Sequence, residues 1–340
     1  MKTKVLNVIG IVTGLCIHCF AVAQPGDIPI VTIEVYGLRT ISEAEVRKLL
    51  PFSEGDTLKP SQMESLDSHM VATLGVHDVS IEGSCCYESG WIIYIGVEET
   101  PGSRKQYRET PKGGITLPVE IVTKAEQYEL AVFEAAQTPY GSYGDDFSEG
   151  HSLMDYPPGR TIQEQFLVYA EQHGEVLLQV LHESANAQHR AIAAMVIAYS
   201  KDKASIVDDL TKAVRDPYRG VRNNATRALG VIAVFANNNP ETGITIQPDP
   251  FIDLLNSFVW TDRNKGLFVL EALTQKRQPE LLRRLQEEAL SSLIDVCRWK
   301  FWAHASTACL ILQRIVGLPD QDEPGAREPT IEQAKKVFQH

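Results

Sequence analysis

The chain has 340 residues, 44% apolar and 22% charged, with a net charge of −12 and a pI near 5.3. That length accommodates two or three domains, and that balance is globular, which argues against a disordered or low-complexity protein. Lys and Arg number 32 against 44 Asp and Glu and form no cluster, so the chain lacks the basic footprint that a nucleic-acid partner requires.

Residues 1–23 read as an export signal. Lys2 and Lys4 form a positive start, an apolar run extends from Val5 to Val22, and Ala21-Val22-Ala23 offers small residues for cleavage before Gln24. The run approaches the length of a membrane span, but no positive stop-transfer flank follows, so cleavage is expected over anchoring. Lipid attachment at Cys16 or Cys19 is not expected, because Leu15 and His18 occupy the position where a small residue is needed. Cleavage removes Lys2 and Lys4 and implies a more acidic, exported or periplasmic chain with no integral span.

IVTIEVYG (30–37) alternates apolar and polar side chains as a strand does. SEAEVRKLL (42–50) follows as a helix, with Ser42 and Glu45 spaced as a capping box. In SQMESLDSHMVATLG (61–75), Met63, Leu66, Met70 and Leu74 make one helical face and Gly75 the C-cap. VHDVSIEG (76–83) and WIIYIGVEE (91–99) are two further strands, joined by a loop that carries Cys85 and Cys86. These two cysteines could close a strained ring or stay as two free thiols. The order β-α-α-β-β describes a small α+β domain over residues 24–100.

On IEVYGLRTISEAEVRKLL, the EGDTL turn with Gly55, LGVHDVSIE and IYIGVEE, residues 28–100 resemble a POTRA domain. That module belongs to outer-membrane assembly and secretion proteins, and its sheet edge can take up an extended peptide. Where the pattern has a bulky aromatic before Asp-Val, this chain has His77, expected as a half-buried core residue. The membrane β-barrel that usually follows such modules is not expected, because residues 160–316 have helical periodicity.

Residues 101–160 read as a connection: the linker PGSRKQYRETPKGG, a helix over 119–137, and a long loop over 138–160. The loop holds Asp145, Asp146, Glu149, His151 and Asp155, but their spacing matches neither HExxH nor an EF-hand. A solvated acidic loop is the expectation, and a divalent-metal or acid/base site the alternative.

In DPYRGVRNNATRALGVI (216–232), Val221, Ala225, Ala228, Leu229 and Ile232 share one helical face, with Arg222, Asn223 and Arg227 expected outside it. Ile206, Leu210, Ala213 and Val214 of the preceding helix form its mate. Arg190, Ala193 and Ile197 precede Arg222, Ala225 and Leu229 by 32 residues, so the helical pair recurs. FIDLLNSFVWTDRNKGLFVLEAL gives a third copy without small residues at the packing positions, and Ala305, Ala308 and Leu312 mark a fourth. This pattern resembles HEAT repeats over 161–316, most specifically in the D-P-x-x-x-V-R-x-x-A-x-x-A-L-G run from Asp216 to Gly230. The resemblance implies an all-α helical solenoid in which Asp216 and Arg222 tie neighbouring repeats together. A short helix is expected in the tail, 317–340.

Cys297 and Cys309 fall on the last two repeat helices, three and nine residues from a turn near Lys300. Two straight antiparallel helices would offset them by about 9 Å along the axis, beyond disulfide reach, so both are expected as buried small residues. No catalytic, cofactor-binding or metal-ligating constellation stands out. The expected function is a non-enzymatic protein–protein interaction or scaffold role in the cell envelope, using the solenoid surface and the sheet edge. The alternative is a metal-dependent enzyme or regulator that uses the 138–160 loop. Residues 24–100 and 161–316 are expected to fold independently.

Overall fold

The computed structural model describes residues 29–58, 62–87, 90–100, 107–136 and 144–338. The export signal, Gln24 and the first half of the linker fall outside the described residues, as does part of the acidic loop. Two compact units are formed, one by Arg108–Thr245 and the other by the described residues of 14–107 together with those of 246–340.

In the second unit, β1 (Ile30–Tyr36) leads to α1 (Glu43–Arg47), α2 (Leu66–Leu74), β2 (Asp78–Tyr87) and β3 (Gly90–Glu98). The Ser42–Glu45 capping box forms as its spacing requires: the Ser42 side chain accepts from Glu45 N–H and the Glu45 carboxylate from Ser42 N–H. Gly75 closes α2 at φ +67°, a left-handed conformation that favours glycine. Cys85 and Cys86 belong to β2 and not to a loop, because β2 and β3 pair almost to their junction. The state of their thiols lies outside what is described.

The three strands are ordered β1-β3-β2, with β1 parallel and β2 antiparallel to the central β3. One sheet face packs on α1 and α2 through Ile33, Val46, Leu66, Met70, Val79, Ile93 and Ile95. The opposite face is also covered, and every residue of β3 is buried. That face is turned to the stretch that forms α8 (Asp249–Leu255), α9 (Trp260–Thr274), α10 (Pro279–Cys297) and α11 (Trp302–Ile315). The residues that meet it are Phe258, Trp260 and Thr261 around the start of α9, Trp299 between α10 and α11, and His304 of α11. Tyr94 stacks on Trp260 with ring centroids 4.7 Å apart and lies 4.9 Å from the Trp299 ring, while its hydroxyl meets His304 Nδ1. Tyr36 donates to Phe258 O at 2.9 Å. From β2, the buried Glu82 accepts from Trp260 N–H at 2.7 Å and the Thr261 hydroxyl at 3.0 Å, which satisfies the exposed donors at the start of α9. Gly96 permits the close approach: a Cβ there would sit 1.7 Å from Phe258 O. The α+β segment thus shares its core with residues 246 onward, contrary to the expectation that it folds alone.

Cys297 and Cys309 are joined by a disulfide, with Cα atoms 5.0 Å apart. Helices α10 and α11 pack on each other, and the bridge joins the last residue of α10 to the eighth of α11. A 5.0 Å separation between those positions means that the two helices are not the straight antiparallel rods that the offset assumes. The tail ends in α12 (Arg327–Phe338), which packs on α11.

In the first unit, residues 108–118 run without helix into α3 (Val119–Ala136). A two-stranded hairpin, β4 (Asp145–Asp146) and β5 (Leu153–Met154), precedes α4 (Pro157–Glu183), α5 (Ala187–Ile197), α6 (Lys203–Ala213) and α7 (Arg219–Asn238). Helix α4 is broken at His173, whose φ of −123° is not helical, immediately before Gly174. Helix α5 packs on α4 and on α7, and α6 packs on α7, so two helix pairs stack through their second members.

Candidate functional site

An arginine ladder at the ends of the helix pairs organises the first unit. Arg190 is the fourth residue of α5, and its Nη1 reaches back to the carbonyl of Ser184, six residues earlier, at 2.8 Å. Arg222 is the fourth residue of α7 and repeats the bond to Asp216 O at 2.9 Å. The Arg190 guanidinium also grips both carboxylate oxygens of Asp216, at 2.9 and 2.8 Å. Burial alone would raise the Asp216 pKa, but Arg190, Arg108 and the Tyr218 N–H stabilise the anion and hold it below the usual carboxylate value. The expectation that Asp216 ties neighbouring repeats is met through Arg190. Arg222, expected outside, is 2% exposed, because its stem runs over the helix end to reach those carbonyls.

A family model for HEAT repeats matches residues 174–242. No curated protein matches the chain.

The match begins at the kink in α4 and spans the α4–α5 and α6–α7 pairs. In the second unit the same bond recurs: Arg263, the fourth residue of α9, donates to Ser257 O, again six residues back. Gly266 then occupies the place of Ala193 and Ala225, and a Cβ there would lie 3.0 Å from Phe251 O. The third copy therefore does carry a small residue at the packing position. The pattern Arg-x-x-(Ala or Gly)-x-x-x-(Ile or Leu), at 190, 222 and 263, was the signal that could have revealed it. In α11 the fourth residue is Ala305, without the arginine.

Ala225 and Ala228 are buried at 0% and 6% exposure, as the small-residue face requires. Ala225→Leu is expected to destabilise by about 1–3 kcal/mol through overpacking, read from urea denaturation. An unchanged midpoint would mean that α7 does not pack as described.

The acidic loop is a docked hairpin, and its residues do not gather into one site. Asp145 pairs with Arg227 at 2.7 Å and accepts from the Ser152 hydroxyl at 2.6 Å. Arg227, expected outside, turns inward to make that pair. Asp146 accepts from Ser148 N–H, and the Ser148 bonds hold its pKa below the usual range. Glu149 and Asp155 are exposed. Among the described residues, no group of three His, Cys, Asp or Glu is placed to hold a metal ion. Gln163 and Tyr199 secure the hairpin by bonding Met154 N–H and Ser152 O.

His151 is 8% exposed, with its Nδ1 3.2 Å from Lys203 Nζ. Burial, then the Lys203 charge, lower its pKa to about 4, while burial lowers that of Lys203 to about 8. The unfolded chain therefore binds more protons at His151 than the folded one between pH 6.5 and about 4, and stability falls as pH falls across that window. An NMR titration should find His151 neutral at pH 5.5, and a midpoint near 6.5 would contradict its burial beside Lys203.

His77 is half exposed, with Nε2 3.8 Å from Glu98 Oε2. The outer edge of β1 is covered by its own loop: Ile30 N–H donates to Asp56 O, Gly55 N–H to Ile30 O, and Ile33 N–H to the Glu54 carboxylate. In β2, Val79 N–H donates to the Asp78 carboxylate.

Proposed function

We propose that this chain is a non-enzymatic interaction or scaffold protein of the cell envelope, exported after cleavage at Gln24. The observation that carries the reading is the recurrent arginine-tied helix pair over a HEAT-repeat match, because HEAT repeats commonly mediate protein–protein interaction. The β-α-α-β-β order and the β1-β3-β2 sheet support a POTRA-like segment at the N-terminal side. With β1 covered by residues 54–57, β2 is the edge to which a partner strand would add. No helix among the described residues is long and apolar enough to cross a membrane.

The test is photocrosslinking in intact cells from Glu171, an exposed position on α4, followed by mass spectrometry of envelope fractions. A specific protein adduct and a mature N-terminus at Gln24 are expected. Retention of Met1 would overturn export, and the absence of any adduct from several exposed positions on α4 and α6 would overturn the interaction role.

A further inference from the structure

Residues 108–117 lie as a strap across the loop ends of the α4–α5 and α6–α7 pairs. Arg108 Nε and Nη2 lie 3.1 and 2.5 Å from Asp216 Oδ2, and Nη2 also donates to Leu181 O at 2.7 Å. The Arg108 N–H donates to Arg215 O at 2.8 Å. Five residues on, Gly113 exchanges two main-chain bonds with the opposite loop: its N–H donates to Glu183 O and its carbonyl accepts from Ala185 N–H. A Cβ at this position would lie 2.6 Å from Glu183 O, so glycine is required. Leu117 is 5% exposed, and its N–H donates to His189 Nδ1. Glu109, Thr110, Lys112, Gly114 and Thr116 face solvent. Recognition thus rests on three points, an arginine, a glycine and a leucine, with main-chain bonds between them.

We propose that these loop ends form a peptide-binding track for an extended segment of a partner protein carrying Arg-x4-Gly-x3-Leu, and that Arg108–Leu117 is its resident occupant in cis. The acceptors along the track suit such a guest. Leu181, Glu183 and Arg215 present carbonyls from helix ends, where the dipole favours a cation, and Asp216 adds a carboxylate. Removal of the strap leaves no buried charge alone. Asp216 stays paired with Arg190, and the Arg108 side chain is already 21% exposed and hydrates readily. Leu117 is the strap's one buried residue, so the strap opens without disturbing the helix core. Occupation in cis sets the threshold: the tether presents the strap at about millimolar effective concentration, and a guest must exceed it.

This inference rests on the repeats being a protein-binding surface, but the two fail separately, since crosslinking from α4 can capture a partner whether or not the strap moves. The test uses the full chain with Arg108→Ala and Leu117→Ala together, and a fluorescent peptide of residues 108–118. The double variant, native by circular dichroism, is expected to bind one peptide per chain, and wild type to bind about tenfold or more weakly. Replacement of the peptide's arginine by alanine should weaken binding by about tenfold or more. Absence of saturable binding by a natively folded double variant would overturn the proposal. Should that variant not fold, hydrogen exchange on wild type decides. The Gly113 and Leu117 amides are expected to exchange by local opening, orders of magnitude faster than those of α5 and α7; exchange only through global unfolding would make the strap a fixed part of the fold.

Discussion

Gly96→Ala is expected to destabilise the chain by about 3 kcal/mol or more, at the upper end for overpacking and beyond what one methyl group normally costs. The added Cβ would meet the Phe258 carbonyl at 1.7 Å, backbone against backbone, so no rotamer change relieves it. Either β3 or the segment before α9 must move. Movement would break the Tyr36 bond to Phe258 O and draw Trp260 N–H away from Glu82. Near-UV circular dichroism should lose intensity, because Trp260 and Trp299 both lie against Tyr94. Gly325→Ala, at a position with nothing within 4 Å of the added Cβ, serves as the control. A Gly96→Ala chain that unfolds at the same urea concentration as the control would refute the close seam.

The second large effect is expected at Asp216. Asp216→Ala should cost about 3–5 kcal/mol, the range for breaking a buried ion pair by removing one partner. Arg190 is 1% exposed, and without the carboxylate its guanidinium would keep only the Ser184 and Ala185 carbonyls. Tyr218 N–H would also lose its acceptor at the entry to α7. Replacing both partners, as in Arg190→Met with Asp216→Ala, should recover part of the loss, because the fully buried Arg190 charge then goes as well and only the part-exposed Arg108 is left without its carboxylate. A single Asp216→Ala variant within 1 kcal/mol of wild type in denaturant would show that the ladder contributes little.

Local signals are legible in this sequence and long-range ones are not. The Ser42–Glu45 capping box, the Gly75 cap and the small-residue face of α7 depend on neighbours three or four residues away, so their spacing was enough. Arg222 and Arg227 were misplaced because helical periodicity gives the direction of Cβ, not the end of a long side chain. Arg222 doubles back to the helix start, and Arg227 finds Asp145, 82 residues away. The Cys297–Cys309 bridge is not legible from spacing because an axial offset assumes two straight antiparallel helices. The cover on the second sheet face was legible in part: WIIYI is apolar without alternation, as expected for a strand buried on both sides. The origin of that cover was not legible, since Phe258 and His304 lie at least 160 residues beyond β3 and no short-range pattern links them.

The second unit is assembled from two stretches separated by Arg108–Thr245, which gives synthesis an order of events. A ribosome finishes β3 long before it reaches Phe258, and at about 5–20 residues per second the interval is on the order of ten seconds or more. During that time the Tyr36 and Tyr94 face has no lid from its own chain. It is then a sticky surface on a nascent protein, exposed longer than many small domains take to fold, and its protection falls to whatever chaperone meets the chain first.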